Sequence, residues 1–90
     1  MQNPTILEAI KTKQNITFEY NGKERHISPW IYGKKFSRTM IMGYQHAGGN
    51  FEGFRQFAYE DMTNIRINSD KFISPKVTRS DPWEEIYAEL

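Results

Sequence analysis

The residues most able to do chemistry in this chain are two arginines placed among aromatic and apolar residues. Arg55 precedes Phe57 and Tyr59 at intervals of two, so in a β-strand all three side chains point to one face. Arg25 stands in the same relation to Ile27. Because a buried guanidinium without a counter-charge is strongly unfavourable, each arginine is expected either to pair with a carboxylate or to bind an anion.

The sequence leaves two interpretations of these arginines open. In the first, they form internal ion pairs with acidic residues, namely Glu19, Glu24, Glu52 or Glu60. In the second, they bind a phosphate while neighbouring aromatic rings stack on a base, which is the chemistry that a nucleotide requires. The candidate ligand-binding residues of the second interpretation are Tyr20, Arg25, Trp30, Tyr32, Lys35, Arg38, Tyr44 and Arg55.

Other residue types give no pattern typical of an enzyme or a metal site. His26 and His46 have no suitably spaced Cys, Asp or Glu partners, and we interpret them as ordinary polar residues. Gly48-Gly49 is followed neither by Lys-Ser/Thr nor by a helix start, so it indicates a hairpin loop rather than a phosphate loop. No Ser or Thr has the partners of a catalytic triad. We therefore expect a protein that is not an enzyme and uses no metal or cofactor.

The composition limits the partners that the protein can have. Its 90 residues suit one small domain, and 12 Lys and Arg against 11 Asp and Glu give a formal net charge of +1. Proteins that grip long nucleic acids carry a larger basic excess, so any anion site must be local. The absence of cysteine and of a long apolar run favours a cytoplasmic protein without a membrane partner.

The elements that position these residues follow from caps, turns and alternation. Asn3 followed by Pro4 predicts the start of an N-terminal helix. Asn21-Gly22 between two alternating segments predicts a two-residue hairpin, and Pro29 predicts that the second strand ends, bends or lies on an edge there. The other predicted strands are residues 38–46, the segment around Arg55 after a turn at 47–50, and residues 63–68.

The C-terminal segment has the pattern of a second helix. Asp81 can cap it, Pro82 suits its first position, and the apolar residues that follow recur at helical spacing. These apolar residues are Trp83, Ile86, Tyr87 and Leu90. The stripe they form is expected to be available to a partner chain, which predicts a homodimer or a higher ring.

Together these elements predict a mainly β fold with flanking helices, of the α+β class. The expected core is a small, strongly bent, five-stranded antiparallel sheet or partly open barrel. Residues 1–68 are predicted to form this barrel and the N-terminal helix. Residues 69–90 are predicted to form an irregular connection and the C-terminal helix, packed on the barrel or on a partner chain.

The order of five short segments resembles the WYL domain, a Sm-like or SH3-like β-barrel found in bacterial transcription regulators and some CRISPR-associated proteins. The segments, within residues 5–67, are ILEAI, ITFEYNG, RHISP, MIMGY and FRQFAYEDM. The best matches are Tyr20, Arg25 with Pro29, Gly43-Tyr44, and Arg55 with Phe57. The Trp-Tyr-Leu triplet that names the family falls on Thr39, Met40 and Ile41, and two arginines expected after Phe57 are absent.

The resemblance implies a ligand-sensing module that binds short single-stranded nucleic acid or a nucleotide-like effector. The two absent arginines favour a small or cyclic nucleotide over a long strand. Too few residues precede the first strand for a helix-turn-helix, so we expect a bare module that senses or sequesters its ligand, as a mobile-element protein that removes a nucleotide immune signal would. The alternative is a protein-interaction module that binds and regulates a larger partner, such as a transcription regulator or a CRISPR-type effector.

Overall fold

The computed structural model describes residues 3–47, 53–72 and 83–90, which form an α-helix packed on a bent antiparallel sheet of six strands. The fold is therefore mainly β with an N-terminal helix, as predicted. The elements are α1 (Pro4–Thr12), β1 (Gln14–Tyr20), β2 (Lys23–Lys35), β3 (Arg38–Ala47), β4 (Gly53–Ala58), β5 (Met62–Lys71) and β6 (Glu85–Glu89), with a 3-10 turn at Tyr59–Asp61 between β4 and β5.

Helix α1 begins where the sequence predicts. The side-chain oxygen of Asn3 accepts hydrogen bonds from two backbone N–H groups of the first turn, and Pro4 takes the first helical position, where no N–H donor is needed. Lys13 ends the helix in the left-handed conformation, with φ 58°. The buried face of the helix consists of Ile6, Ala9 and Ile10.

The predicted hairpin between β1 and β2 is confirmed. Tyr20 faces Lys23 across it, and Asn21 and Gly22 have φ values of 52° and 76°, which this two-residue turn requires. The strands follow the order β4-β3-β2-β1-β5, and β6 also pairs with β2. The predicted turn residues Gly48 to Asn50 lie outside the described residues.

Strand β2 changes partner along its length, and it does so at its proline. It pairs with β1 as far as Ile27 and with β6 from Ile31 onward. Pro29 lies between these two pairings, and the register against β3 shifts between Pro29 and Ile31. A residue without an N–H donor is tolerated at such an irregularity, so the strand continues through the proline.

The predicted C-terminal helix is wrong, because residues Glu85–Glu89 form strand β6. The N–H of Glu84 donates to the carbonyl of Lys34, and the N–H of Leu90 donates to the carbonyl of Trp30, so β6 occupies an edge of β2 that β1 has left. The predicted helix over residues 82–90 would be only nine residues long, and isolated helices shorter than about 12–15 residues are marginal in water, whereas a strand at this position pairs with an existing edge. The predicted capping residues, Asp81 and Pro82, lie outside the described residues.

Self-association was predicted from an apolar stripe on the C-terminal helix. Because this segment is a strand, that stripe does not form. The ring of Tyr87 packs edge-on against the ring of Tyr32, with centroids 5.2 Å apart, so it belongs to the core of its own chain and not to a free stripe. The C-terminal segment also shares the sheet with the N-terminal part, and β5 extends beyond residue 68 to Lys71. Residues 69–71 are therefore strand and not an irregular connection.

The hydrophobic core lies between α1 and one face of the sheet, which we call the inner face. Its rings meet edge-to-face, with the centroids of Phe18 and Phe57 5.1 Å apart. The buried inner-face residues include Ile16, Phe18, Ile27, Ile41 and Phe57. Because side chains alternate along a strand, this set fixes the face on which every neighbouring candidate residue lies.

Candidate functional site: the arginine end of the inner face

Arg25 lies on the inner face with the core residues. It faces Phe18 across the β1–β2 pair and alternates in phase with Ile27, which faces Gln45 on β3. Its residue exposure is only 6 %, and Gln45 is fully buried. The sequence pattern therefore places a permanent positive charge at the edge of the hydrophobic core, where it is largely shielded from solvent.

The contacts of Arg25 are with neutral groups. Nη1 donates to the side-chain oxygen of Gln45 at 3.3 Å, and Nη2 donates to the carbonyl of Tyr20 at 3.5 Å. The guanidinium carbon lies 5.8 Å from the centroid of the Tyr20 ring, within the range of a cation–π contact. Nε is buried and has no acceptor among the described residues.

Within the described ranges, no carboxylate pairs with Arg25. The acids proposed as internal partners bind elsewhere: Glu19 accepts from Asn64, Glu24 pairs with Arg66, and Glu60 pairs with Arg38. The fourth proposed partner, Glu52, lies outside the described residues. The buried charge of Arg25 is thus balanced by hydrogen bonds and a ring face rather than by an acid of residues 3–47, 53–72 or 83–90.

Arg55 joins Arg25 on the inner face. It faces Gly43 across the β3–β4 pair, in phase with Phe57, and its guanidinium carbon lies 5.4 Å from the centroid of the Phe57 ring. This confirms the predicted sharing of a face by Arg55 and Phe57. Tyr20 connects the two arginines, because its ring lies 5.0 Å from that of Phe57 and its hydroxyl accepts from the N–H of Ala58. We call Tyr20, Arg25, Gln45, Arg55 and Phe57 the arginine end.

Trp30 and Tyr44 lie on the opposite, outer face of the sheet. Tyr44 faces Ser28 and Phe54 in register, one residue out of phase with Gln45. The ring of Phe54 lies 5.2 Å from that of Trp30 and 5.4 Å from that of Tyr44. The sheet therefore separates these two aromatic residues from the arginines that they were predicted to assist.

The other three predicted ligand-binding residues lie away from the arginine end. Tyr32 is a core residue whose hydroxyl accepts from the N–H of Asn3, and burial raises the pKa of this phenol. Lys35 is buried near the β2–β3 turn, with Nζ 3.2 Å from the side-chain oxygen of Gln56. Arg38 is exposed and pairs with Glu60. The arginine end thus keeps three of the eight predicted residues, namely Tyr20, Arg25 and Arg55.

The outer face carries a polar network that the sequence interpretation missed. Asn15 Nδ2 donates to Asp70 Oδ2, and this hydrogen bond holds the pKa of Asp70 below its usual value. Ser28 Oγ lies 2.6 Å from Asn15 Oδ1 and 2.6 Å from His46 Nε2. An amide oxygen can only accept, so Ser28 donates its single proton to Asn15, and His46 donates to Ser28. His46 is then not a base for Ser28, and the pair does not form an activated nucleophile.

His26 belongs to the same network. Its Nε2 lies 3.6 Å from Asp70 Oδ2, while Nδ1 lies 3.2 Å from the hydroxyl of Thr17. The alternation of His26 with Ser28, and of Tyr44 with His46, is the sequence signal for this face, but the partners Asn15 and Asp70 come from other strands, β1 and β5. Among residues 3–47, 53–72 and 83–90, no three His, Asp or Glu side chains form a group that could hold a metal ion.

Comparisons with known proteins identify no relative of this chain. No protein-family model, curated protein or solved structure matches the chain significantly. The resemblance to WYL domains therefore stays a prediction. In the described part of the chain, no helix is long and apolar enough to cross a membrane.

Proposed function

We propose that the protein binds a compact anionic ligand of nucleotide type at the arginine end, without catalysing a reaction. The observation that carries this proposal is the burial of Arg25, at 6 % exposure, with no carboxylate partner in the described residues and with Nε lacking an acceptor. A phosphate or phosphodiester offers several oxygen acceptors and a full negative charge, which suits a guanidinium whose partners among the described residues are neutral.

The neighbours of Arg25 favour a nucleotide over a simple inorganic anion. Arg55 adds a second guanidinium on the same face, and the rings of Tyr20 and Phe57 supply apolar surface next to both cations. Because Trp30 and Tyr44 lie on the outer face, their rings do not extend the arginine end, which is therefore a short site. A small or cyclic nucleotide fits this arrangement better than an extended single strand, which needs a cation near each phosphate and a continuous row of rings.

The proposal includes the finer architecture that the WYL resemblance implies. The six-stranded sheet would be a divergent Sm-like or SH3-like barrel, with the arginine end at one of its mouths. Ligand binding there would serve either sensing or sequestration. Sequestration requires the higher affinity, because depletion of a nanomolar signal needs a binding free energy of about −12 kcal/mol.

Calorimetry against mono-, di- and cyclic nucleotides and short oligonucleotides tests the proposal, with mass spectrometry of small molecules released from the purified protein to extend the panel. Arg25→Met keeps a long side chain of similar volume but removes the charge. We expect this variant to unfold at the same or a higher temperature, since replacement of a buried ion by an apolar residue is often neutral or stabilising. We expect its ligand binding to weaken by roughly 1.5–3 kcal/mol, as for the loss of a charge-assisted hydrogen bond.

Arg66→Met is the matched control, because Arg66 is exposed and pairs with Glu24 at 3.1 Å. Its ligand affinity should equal that of the unchanged protein, whereas Arg55→Ala should resemble Arg25→Met. If no member of the panel binds, or if Arg25→Met unfolds under native conditions, the arginines are structural. The protein-interaction module, with a larger regulatory partner, would then be the better account.

A further inference from the structure

The hydroxyl of Tyr20 keeps a hydrogen-bond donor that the fold does not use. A phenol hydroxyl donates one hydrogen bond and can accept others. The hydroxyl oxygen of Tyr20 accepts from the N–H of Ala58 at 3.3 Å, and no group in the described part of the chain accepts its proton. The side chain is only partly buried, at the edge of the core. Tyr20 is therefore a candidate donor to a bound molecule.

The same arrangement occurs once more in the core, where no arginine lies beside it. The hydroxyl of Tyr32 accepts from the N–H of Asn3 at 2.9 Å and likewise donates to no described group. Its ring neighbours are Tyr59 and Tyr87, and its exposure is 1 %. A tyrosine that only accepts is thus compatible with a structural role. What distinguishes Tyr20 is its position next to Arg25.

Arg25 supplies further unused donors at this position. A guanidinium has five N–H groups. Arg25 uses two of them, one for the side-chain oxygen of Gln45 and one for the carbonyl of Tyr20, which leaves three without an acceptor in the described residues, the buried Nε–H among them. The two oxygens that face the guanidinium already accept from it. The unused groups here are therefore donors rather than acceptors.

A site that offers only donors selects ligands by the polarity of their hydrogen-bonding groups. An unprotonated phosphate oxygen and a base carbonyl only accept, whereas the exocyclic amino group of a base donates. An amino group at such a site faces other donors, and each buried group that loses its hydrogen bond weakens binding. Guanine, hypoxanthine and uracil carry a carbonyl where adenine and cytosine carry an amino group.

The two ends of Tyr20 lie next to different parts of the site. Its backbone carbonyl bonds to Arg25 on β2, while its hydroxyl reaches the backbone of Ala58 on β4. A nucleotide whose phosphate lies at Arg25 therefore meets the hydroxyl with its sugar or its base. A sugar hydroxyl both donates and accepts, so only contact with the base gives the site a preference between carbonyl and amino groups.

We propose that Tyr20 is a specificity-determining residue of the arginine end and that its hydroxyl donates to the carbonyl of a keto base. The protein then prefers guanine, hypoxanthine and uracil nucleotides to adenine and cytosine nucleotides. This inference rests on the proposed function and adds to it the class of base that the ligand carries.

Two pairs of probes isolate this contact, each in the 5′-monophosphate and the 3′,5′-cyclic form. Inosine and adenosine nucleotides differ at the 6-position of the purine, and uridine and cytidine nucleotides at the 4-position of the pyrimidine, while their phosphates are identical. In calorimetry, the unchanged protein should bind the keto member of each pair at least about tenfold more tightly.

Tyr20→Phe keeps the ring and removes the hydroxyl. It should bind the adenosine and cytidine probes like the unchanged protein, while its preference for the keto members falls below about threefold. A purely structural role of Tyr20 would instead weaken both members of a pair equally. Tyr32→Phe is the matched control, because it removes a hydroxyl that also accepts a backbone N–H, and it should keep the full preference.

The outcomes separate this inference from the proposed function. Equal binding of keto and amino probes, or a full keto preference in Tyr20→Phe, would overturn the role of Tyr20 and leave the anion site at Arg25 in place. If no nucleotide binds, both proposals fail.

Two further probes test the unchanged protein directly, in case Tyr20→Phe does not fold. Purine riboside monophosphate, which carries only hydrogen at the 6-position, should bind more weakly than inosine monophosphate, and equal binding would contradict a contact with the carbonyl. The 2′-deoxy form of inosine monophosphate should bind like the ribose form. A loss of affinity in the deoxy form would assign the hydroxyl of Tyr20 to the sugar and overturn the proposal.

Discussion

The guanidinium of Arg25 and the side-chain oxygen of Gln45 lie 3.3 Å apart inside the edge of the core. Both residues are buried, and they come from neighbouring strands without facing each other in the register. A neutral amide at this position binds the guanidinium without neutralising it. Within the described residues the charge of Arg25 is therefore not neutralised by a carboxylate, which is the basis of the proposed anion site.

This relationship makes a prediction for Gln45→Glu, which exchanges the amide for a carboxylate of nearly the same shape. The new carboxylate should neutralise Arg25 and compete with the ligand, so the affinity for the best nucleotide of the panel should fall by at least about tenfold. Calorimetry measures the affinity, and a thermal melt verifies that the variant is folded. Gln56→Glu, next to Lys35, is the control and should bind the ligand normally. Normal binding by Gln45→Glu would show that Arg25 does not contact the anion.

Gly33→Ala tests the pairing of β6 with β2. A Cβ atom at residue 33 would lie 2.2 Å from the carbonyl oxygen of Glu85 and 3.0 Å from the Cα of Ile86, so the backbone of β6 has to move away. We expect residues 85–89 to lose protection from amide hydrogen exchange while the β1–β2 hairpin keeps it. Lys34→Ala, one residue along the same strand, should leave β6 protected. Unchanged protection in Gly33→Ala would argue against this strand pairing.

Asp70 predicts a pH dependence of stability on the acidic side. Because hydrogen bonding from Asn15 lowers its pKa in the folded protein from the ordinary 3.8, the unfolded chain binds the proton more tightly. The contribution of Asp70 is therefore present above about pH 3.8 and is lost as the pH falls through the lower folded value. Urea unfolding between pH 6 and pH 2 should show a smaller acid-induced loss for Asp70→Asn than for the unchanged protein. Asp61→Asn controls for the change in net charge, and an equal loss in all three proteins would contradict the prediction.

Both tight turns should favour glycine, so removal of a glycine from one and introduction of a glycine into the other should change stability in opposite directions. Gly22 has φ 76° with open space around the position of a Cβ atom, so Gly22→Ala should destabilise the protein by about 1 kcal/mol through the backbone alone. Ser37→Gly relieves the same strain at φ 61° and should stabilise by about 0.5 kcal/mol, after the entropy of the unfolded chain is counted. Chemical denaturation measures both changes. Equal signs for the two substitutions would show that backbone strain does not govern these turns.

The sequence by itself determined the features that depend on a few neighbouring residues. Asn3 and Pro4 set the start of α1, and Asn21-Gly22 set the first hairpin, because caps and turns are stabilised by hydrogen bonds and dihedral angles within four residues. Alternation likewise placed Arg55 on one face with Phe57. Each of these signals depends only on neighbouring residues, and in these three places no tertiary contact overrides it.

Only the tertiary structure decided which of the candidate residues meet. Whether Tyr44 shares a face with Arg55 depends on the register between β3 and β4, and a shift of one residue moves every side chain of a strand to the other face. The register shift beyond Pro29 similarly puts Trp30 next to Phe54 on the outer face. Alternation within one strand carries no information about its register with the next.

The state of the C-terminal segment was also decided by a distant element. Residues 85–89 carry apolar residues at spacings that suit a helix, yet the free edge of β2 beyond Pro29 offers them backbone hydrogen bonds, and Gly33 leaves room for their close approach. The lack of an acidic partner for Arg25 in the described residues has the same origin, since Glu19 and Glu24 turn outward to Asn64 and Arg66. Partners and free edges exist only after the chain has folded, which is why the sequence could name Arg25 but not its environment.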